Sequence, residues 1–271
     1  NLALMLPILF SFLISLFAAS CSYIESPLPL EKEDVNNIAQ ENDLHETIVD
    51  RFSPPLGYKR VSLEKNSFGY YLQHLPLKEK NALVTYYNGN QKANNSVYLG
   101  VVDLPIGNKN LHQCADAVIR LRAEYLFAQK KYVDIHFTFL SDGKPRYYES
   151  FVNGDNSYAT FWKYLEHIFE FANTTSLSNE LTTVNSSTDI KIGDVLIEKK
   201  IPYGHAVIVV DMAFDNSGKK KVMLAQSYMP AQEIQILINP ANPSSVWYDV
   251  KEAFITPEWN FKKEHLKRFN L

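Results

Sequence analysis

The sequence is poor in cysteine, with only Cys21 and Cys114 among its 271 residues. It also lacks an excess of basic residues, since 27 lysines and arginines are balanced by 30 aspartates and glutamates. Without a basic stripe, nucleic acid is not an expected partner. The chain contains no internal repeat and no low-complexity stretch, and we expect neither a cofactor nor a bound metal.

The N-terminal segment is apolar. An almost uncharged run over residues 2–17 is followed by three small residues and then Cys21. This pattern is typical of a secretory signal, and the run is shorter than the roughly 20 apolar residues of a membrane span. Small residues directly before a cysteine resemble a bacterial lipobox, which implies lipid on Cys21. We therefore predict a signal peptide over residues 1–20 and an exported protein held to a membrane at the cell envelope, facing the periplasm or the cell surface. The alternatives are an ordinary signal peptide and an uncleaved anchor helix.

A tether is predicted after the signal. Residues 21–50 contain two prolines, clustered charges and little apolar periodicity. A segment of this composition does not bury enough apolar surface to order itself. The remaining residues, 51–271, are enough for one domain with a sizeable core.

The periodicity of this domain changes along its length. A helix is predicted over residues 111–130, with Asn110 as its N-cap. The apolar positions of this helix include Cys114, whereas Asp116, Arg120 and Glu124 are predicted on its opposite, polar side. Strands are predicted over residues 81–87, 97–103, 135–140, 194–198, 205–213, 221–227 and 232–237, and the C-terminus from residue 247 is expected to be mostly irregular. Helices followed by a strand meander indicate an α+β domain.

Cys114 is the candidate nucleophile, because lipid on Cys21 leaves it without a disulfide partner. Its place near a helix N-terminus is expected to lower the pKa of the thiol. A nucleophilic thiol needs a base within hydrogen-bond reach, and His205 is the candidate, since it follows Gly204 and begins the most apolar strand. The alternative is that His205 is an ordinary buried histidine with its hydrogen bonds satisfied.

The segments GDVLI (193–197) and GHAVIVVD (204–211) resemble the second half of the NlpC-type cysteine peptidases, which belong to the papain-like group. The resemblance implies a nucleophilic Cys114 at the start of a helix that packs on an antiparallel sheet carrying His205. Papain-like sites orient the histidine with an Asn, Asp, Gln or His. A hairpin turn near Ser217 places His205 opposite Tyr228, to within about two residues, and this window contains Gln226 and Ser227. Because Gln226 is of the residue types that papain-like sites use, we predict it as this third residue. Asp211 lies six residues along the same strand, roughly 20 Å away, and is expected to be structural.

A second resemblance covers most of the domain. RFSPPLGYKRV, FGYYLQHLPLK, QCADAVIRLRAEYL, YVDIHFTF, GDVLIEKK, GHAVIVVDMA, LAQSYMPAQEI and ITPEWNFKKEHLKRF occur in this order. They are similar to motifs of the bacterial lipoprotein family catalogued as domain of unknown function 4846. This resemblance implies no particular reaction.

Two functions follow from these observations. The first is an envelope cysteine hydrolase that cleaves an amide or peptide bond, with cell-wall peptide of the peptidoglycan type as its substrate. Gln113 is then a candidate amide donor to the oxyanion, although it also fits an exposed helix glutamine. The second is a non-catalytic, lipid-anchored binding protein for glycan or peptide on a degenerate peptidase-like fold, in which Cys114 is a core residue.

Overall fold

The computed structural model describes residues 46–270. The predicted signal peptide, Cys21 and the tether up to residue 45 lie outside the described residues. The folded domain begins before residue 51, where the sequence placed its start. Thr47 forms a β-bridge with Pro76, and Ile48 is fully buried in the main core. Residues 46–50 are therefore part of the domain, because Ile48 packs in the core even though the sequence around it is polar.

Residues 46–270 contain six α-helices and thirteen strands. The helices are α1 Ile48–Arg51, α2 Phe68–Gln73, α3 Cys114–Ala128, α4 Tyr148–Val152, α5 Tyr158–Phe171 and α6 Thr174–Glu180. The strands are β1 Tyr58–Arg60, β2 Tyr98–Val101, β3 His136–Thr138, β4 Pro145–Tyr147, β5 Thr182–Thr183, β6 Val195–Glu198, β7 His205–Asp215, β8 Lys220–Gln226, β9 Gln235–Leu237, β10 Trp247–Asp249, β11 Ala253–Ile255, β12 Asn260–Lys262 and β13 Leu266–Arg268. In this part of the chain, no helix has both the length and the hydropathy needed to cross a membrane.

The domain is a mixed α and β structure built on one nine-stranded antiparallel sheet. The strand order is β2-β9-β8-β7-β6-β13-β5, with β1 also paired to β7 and β10 to β8. The long strand β7 is central because its first nine residues are all buried. The tight β7–β8 connection uses Gly218, whose φ of +82° is a conformation that glycine adopts without strain.

Alternation along β7 divides the core between the two faces of the sheet. Ala206, Ile208 and Val210 point to the face covered by the helices, where α3 lies against β7. Val207 and Val209 point to the other face, which the C-terminal residues Phe254 and Phe261 cover. The helix that begins at Cys114 is thus placed beside the strand that begins at His205.

Two predictions are wrong, one of a strand and one of an irregular segment. Residues 81–87 form only isolated bridges, such as Tyr86 with Gln232, because the chain turns back at once around Gly89. The C-terminus, expected to be irregular, contributes β10 to β13, and β13 inserts between β6 and β5. Each of these strands has only three residues, which is too few for an alternating pattern to stand out.

Helix α3 also differs from its prediction. It begins at Cys114, three residues later than predicted, and Gln113 rather than Asn110 occupies the N-cap position. The Asn110 side chain instead accepts a hydrogen bond from the Ala231 N–H at 2.8 Å. Cys114 is therefore the first residue of the helix.

The polar side of α3 is largely buried. Asp116 and Arg120 are both buried. Helix α5 packs against Arg120 and Glu124, with the Arg120 guanidinium 4.8 Å from the Trp162 ring centroid and the Tyr158 hydroxyl donating to Glu124 at 2.7 Å. Helical periodicity identified these positions as one side of the helix but not the second helix that packs there.

Candidate functional site

Cys114 brings a free thiol to the contact between helix α3 and strand β7. The backbone N–H groups of Cys114, Ala115 and Ala206 face its sulfur and favour the thiolate. Ala206 directly follows His205 in the chain. The start of the helix and the start of the strand therefore lie close together at this cysteine.

The pKa of the Cys114 thiol is nevertheless raised to about 12. Burial is the largest cause and the nearby Asp116 carboxylate the second, and together they outweigh the three backbone N–H groups. The expectation of a lowered thiol pKa is therefore wrong. The helix N-terminus is present as expected, but the side chain is only 6% exposed, and a thiolate there loses its hydration.

His205 and Gln226 are in direct contact. Nε2 of His205 lies 2.8 Å from Oε1 of Gln226, and both side chains are 1% exposed. The strand register produces this contact, because Ile208 pairs with Ala225 and the chains continue from that pair toward the two polar residues. The imidazole packs among the rings of Tyr228, Trp259 and Phe261, and burial lowers its pKa to about 4.

The hydrogen-bond partners of Gln226 fix the tautomer of His205. Gln226 Nε2 donates to the Glu258 carboxylate at 2.6 Å, which only accepts hydrogen bonds. Oε1 of Gln226 must then face the imidazole, so Nε2 of His205 carries the proton and donates it. The lone pair remains on Nδ1, which makes Nδ1 the basic nitrogen of the ring.

Glu258 is in turn held by a buried lysine. Lys92 Nζ lies 2.9 Å from Glu258 Oε2 and 3.2 Å from Gln235 Oε1. Burial lowers the pKa of Lys92, while the pairing with Glu258 raises it. Sequence reasoning missed both residues. Lys92 stands in a polar turn segment and Glu258 in an irregular C-terminal one, so no local pattern marked either as part of the site.

A cleft of about 210 Å³ adjoins Cys114. Its wall is formed by the start of α3, by the segment before α6 and by the β6–β7 loop, and its lining includes Gln113, Cys114, Asp116, Asn173, Thr174, Lys200, Tyr203, Gly204 and Met229. The loop residues Ile201 and Tyr203 are largely exposed. The cleft gives a small ligand an approach to the cysteine.

The remaining candidate residues have defined places. Gln113 lines the cleft at the N-cap, and its Nε2 lies 3.5 Å from the Asn110 side chain. Asp211 accepts hydrogen bonds from Arg60 at 2.8 Å and Gln73 at 2.7 Å, away from His205. His112, which was not a candidate, lies two residues before Cys114 and is buried, with Nδ1 3.2 Å from the Gln232 carbonyl oxygen.

Comparison with known proteins gives one match. The family model described as Domain of unknown function (4846) matches residues 48–268, most of the chain. Neither the curated proteins nor the solved structures contain a match.

Proposed function

The chain belongs to the family described as Domain of unknown function (4846), and we propose that it is a cysteine hydrolase of the cell envelope that cleaves an amide or peptide bond. Cys114 is the nucleophile, His205 the general base and acid, and Gln226 the residue that orients the imidazole. The proposed substrate is cell-wall peptide of the peptidoglycan type. The proposal includes a papain-like arrangement, and the contact between the helix that begins at Cys114 and the antiparallel strand that begins at His205 supports it.

One observation carries this proposal. The buried chain from Glu258 through Gln226 to His205 holds the imidazole with Nε2 protonated and Nδ1 unprotonated. A histidine buried only for packing does not require its tautomer to be fixed by a second and a third residue. General-base catalysis does require it, because the base must present a lone pair to the nucleophile.

The reaction follows from these positions. As Sγ of Cys114 forms a bond to the amide carbon, Nδ1 of His205 takes the thiol proton. His205 then gives this proton to the leaving amine as the carbon–nitrogen bond breaks. Water, deprotonated by His205, hydrolyses the thioester and restores the thiol. The backbone N–H of Cys114 and the side chain of Gln113 are the donors available to the oxyanion.

The pKa values shape the first step. Burial holds the thiol and the imidazole neutral in the empty site, since it raises the thiol pKa to about 12 and lowers the histidine pKa to about 4. Proton transfer therefore accompanies attack on the substrate and does not precede it.

The second candidate function is a lipid-anchored binding protein for glycan or peptide. The burial of Cys114 and its raised thiol pKa favour it, because a core cysteine has both properties. In that case the cleft binds its ligand and the thiol stays inert.

Incubation of the protein with peptidoglycan-derived peptides, with mass spectrometry of the products, separates the two functions. Hydrolysis by the unaltered protein that is lost in Cys114→Ser and His205→Ala supports the hydrolase. His136→Ala is the matched control, because this partly exposed histidine lies in strand β3, away from the cleft. Binding of peptides without cleavage supports the second candidate.

The membrane anchor is tested separately. We expect cells fed a labelled fatty acid to attach it to the unaltered protein and not to Cys21→Ala. Equal labelling of the two proteins contradicts the proposed anchor.

A further inference from the structure

Asp116 is a buried acid in the cleft whose second oxygen has no partner. The residue lines the cleft beside Cys114 and is 6% exposed. Its Oδ2 accepts a hydrogen bond from the Gln113 N–H at 3.0 Å. Its Oδ1 is buried without a hydrogen-bond partner among the described residues.

This arrangement is unfavourable in the empty protein. A buried polar atom without a partner costs free energy, and a buried carboxylate without a cation costs more. Burial raises the pKa of Asp116 to about 8, and the backbone N–H groups of Gln113 and Asp116 only partly oppose this. The charge of Asp116 also raises the pKa of the Cys114 thiol. The carboxyl group therefore disfavours both folding and the nucleophile unless a ligand completes its coordination.

We propose that the Asp116 carboxylate binds a primary ammonium group of the ligand, so that the substrate is a peptide with a free amine close to the scissile bond. This rests on the proposed hydrolase only in calling the ligand a substrate, since the amine site exists whether or not the thiol reacts. Oδ1 is the one oxygen left for a ligand. A compact ammonium donates well to a single oxygen, whereas a guanidinium makes its strongest contact with both oxygens of a carboxylate.

A bound ammonium also changes the electrostatics at the thiol. Its positive charge cancels the field of Asp116 at Cys114 and removes the second-largest cause of the raised thiol pKa. The amine therefore both anchors the substrate and favours the nucleophile.

The other ionisable side chains that line the cleft do not compete for this role. They are Cys114, Lys200 and Tyr203. Lys200 is exposed on the β6–β7 loop with its Nζ 5.7 Å from the Trp259 ring centroid. Arg120, one turn further along α3, pairs with Glu124 through Nε. His112, four residues before Asp116, is neutral between pH 6 and pH 8, because burial lowers its pKa to about 3. Among the described residues that line the cleft, Asp116 is thus the only acid.

Saturation-transfer NMR on the full chain tests the proposal with three probes at pH 7.5. n-Butylamine represents a side-chain amine, alaninamide represents a peptide α-amine, and n-butanol is the neutral control. We expect at least one amine to bind at least about tenfold more tightly than n-butanol, which corresponds to one charged hydrogen bond. The stronger of the two amines identifies the kind of amine that is recognised.

Asp116→Asn keeps the oxygen that accepts from Gln113 and removes the charge, and we expect it to weaken amine binding at least about tenfold. Lys200→Gln is the control and should leave binding unchanged. Equal binding by Asp116→Asn and the unaltered protein, or equal binding of amines and n-butanol, overturns the proposal.

A second measurement needs no substitution. n-Butylamine remains protonated up to about pH 10, as lysine does. Its affinity for the unaltered protein should rise between pH 6 and pH 8 as the carboxyl ionises, and an affinity that is constant over this range overturns the proposal. Repeating the titration with Cys114→Ser isolates the amine site from the chemistry. Amine binding by an unaltered protein that hydrolyses no peptide counts only against the hydrolase, whereas hydrolysis without amine binding counts only against this proposal.

Discussion

At the residue scale, the polar side chains at the site differ in how completely they are paired. His205, Gln226 and Glu258 each have a buried partner at 2.8 Å or less. Asp116 retains one buried oxygen without a partner among the described residues. Fully satisfied networks rigidify a site, whereas an incomplete one reduces stability and is retained where a ligand completes it. The paired residues are suited to positioning the imidazole, and Asp116 is suited to binding a ligand.

Asp116→Asn is expected to stabilise the protein in a pH-dependent manner. The folded-state pKa of Asp116, about 8, lies above its ordinary value of 3.8, so the folded state binds a proton more tightly than the unfolded state. The free energy of unfolding of the unaltered protein therefore falls as pH rises from 4 to 8. In urea unfolding, the free energy of unfolding of Asp116→Asn should exceed that of the unaltered protein by about 2 kcal/mol at pH 8 and by little at pH 4. A difference that does not vary with pH contradicts this assignment.

Replacing one residue of the Lys92–Glu258 ion pair is expected to lower the free energy of unfolding more than replacing both. Lys92→Met leaves the Glu258 carboxylate without its cation and should lower the free energy of unfolding by about 3 kcal/mol. Lys92→Met combined with Glu258→Gln should recover part of this loss, because no unpaired charge is then left. Equilibrium urea unfolding of the single and double variants checks this order of stability. A double variant that is less stable than both single variants contradicts it.

The sequence predicted part of the site at this scale. The hairpin register predicted that Gln226 lies close to His205, and the contact confirms this, because a strand pair around a short turn is a local feature. The pairing of Cys114 with His205 stays a prediction. Lys92 and Glu258 reach the site from distant loops. Their roles depend on how the chain folds over the sheet, which no local pattern records.

At the element scale, the β6–β7 loop controls where His205 stands. Gly204 ends this loop, and a Cβ atom there would lie 2.3 Å from the Glu198 carbonyl oxygen and 2.7 Å from Thr174 Oγ1. The carbonyl belongs to strand β6 and has no freedom to move away. The glycine before the histidine is therefore required by a close approach of the backbone.

Gly204→Ala should displace the start of β7. We expect a loss of about 1–3 kcal/mol in the free energy of unfolding, together with slower alkylation of Cys114. Gly218→Ala is the matched control, since a Cβ atom there would meet no described atom within 4 Å and only its φ of +82° is unfavourable. It should lose about 1 kcal/mol without altering alkylation. Equal alkylation rates in the two variants contradict a role for this loop in placing His205.

Long elements were predictable and short ones were not. The apolar run of β7 and the periodicity of α3 were long enough to identify both elements, although the start of α3 was displaced because Asn110 bonds to Ala231. The three-residue strand β13 carries no such signal. Its place in the sheet depends on pairing with β6 and β5, which lie far away in sequence.

At the scale of the whole molecule, the C-terminal strand β13 completes the sheet, because it lies between β6 and β5. Arg268 in β13 binds the buried Asp194 through both carboxylate oxygens, at 2.6 and 2.8 Å. Asp194 stands just before β6, so this ion pair joins the last strand of the domain to the strand that leads to the His205 loop.

Arg268→Met should destabilise the domain by about 2–3 kcal/mol, because it leaves a buried carboxylate without its cation. Lys263→Met is the control, since the pair of Lys263 and Glu252 is exposed and contributes little. Thermal unfolding of the two variants gives the comparison. Similar melting temperatures for both variants would show that the ion pair between β13 and Asp194 is not needed to stabilise the sheet.

The central claim is that His205 acts as the base for Cys114, and the rate of Cys114 alkylation by iodoacetamide between pH 5 and pH 9 tests it most directly. Because the histidine pKa is about 4, Nδ1 is already unprotonated over this range. We predict a rate that changes little with pH in the unaltered protein and is at least about tenfold faster at pH 7 than in His205→Ala, whose rate should rise with each pH unit. Equal rates in the two proteins, rising together with pH, would contradict the account and leave Cys114 as a core residue of a binding protein.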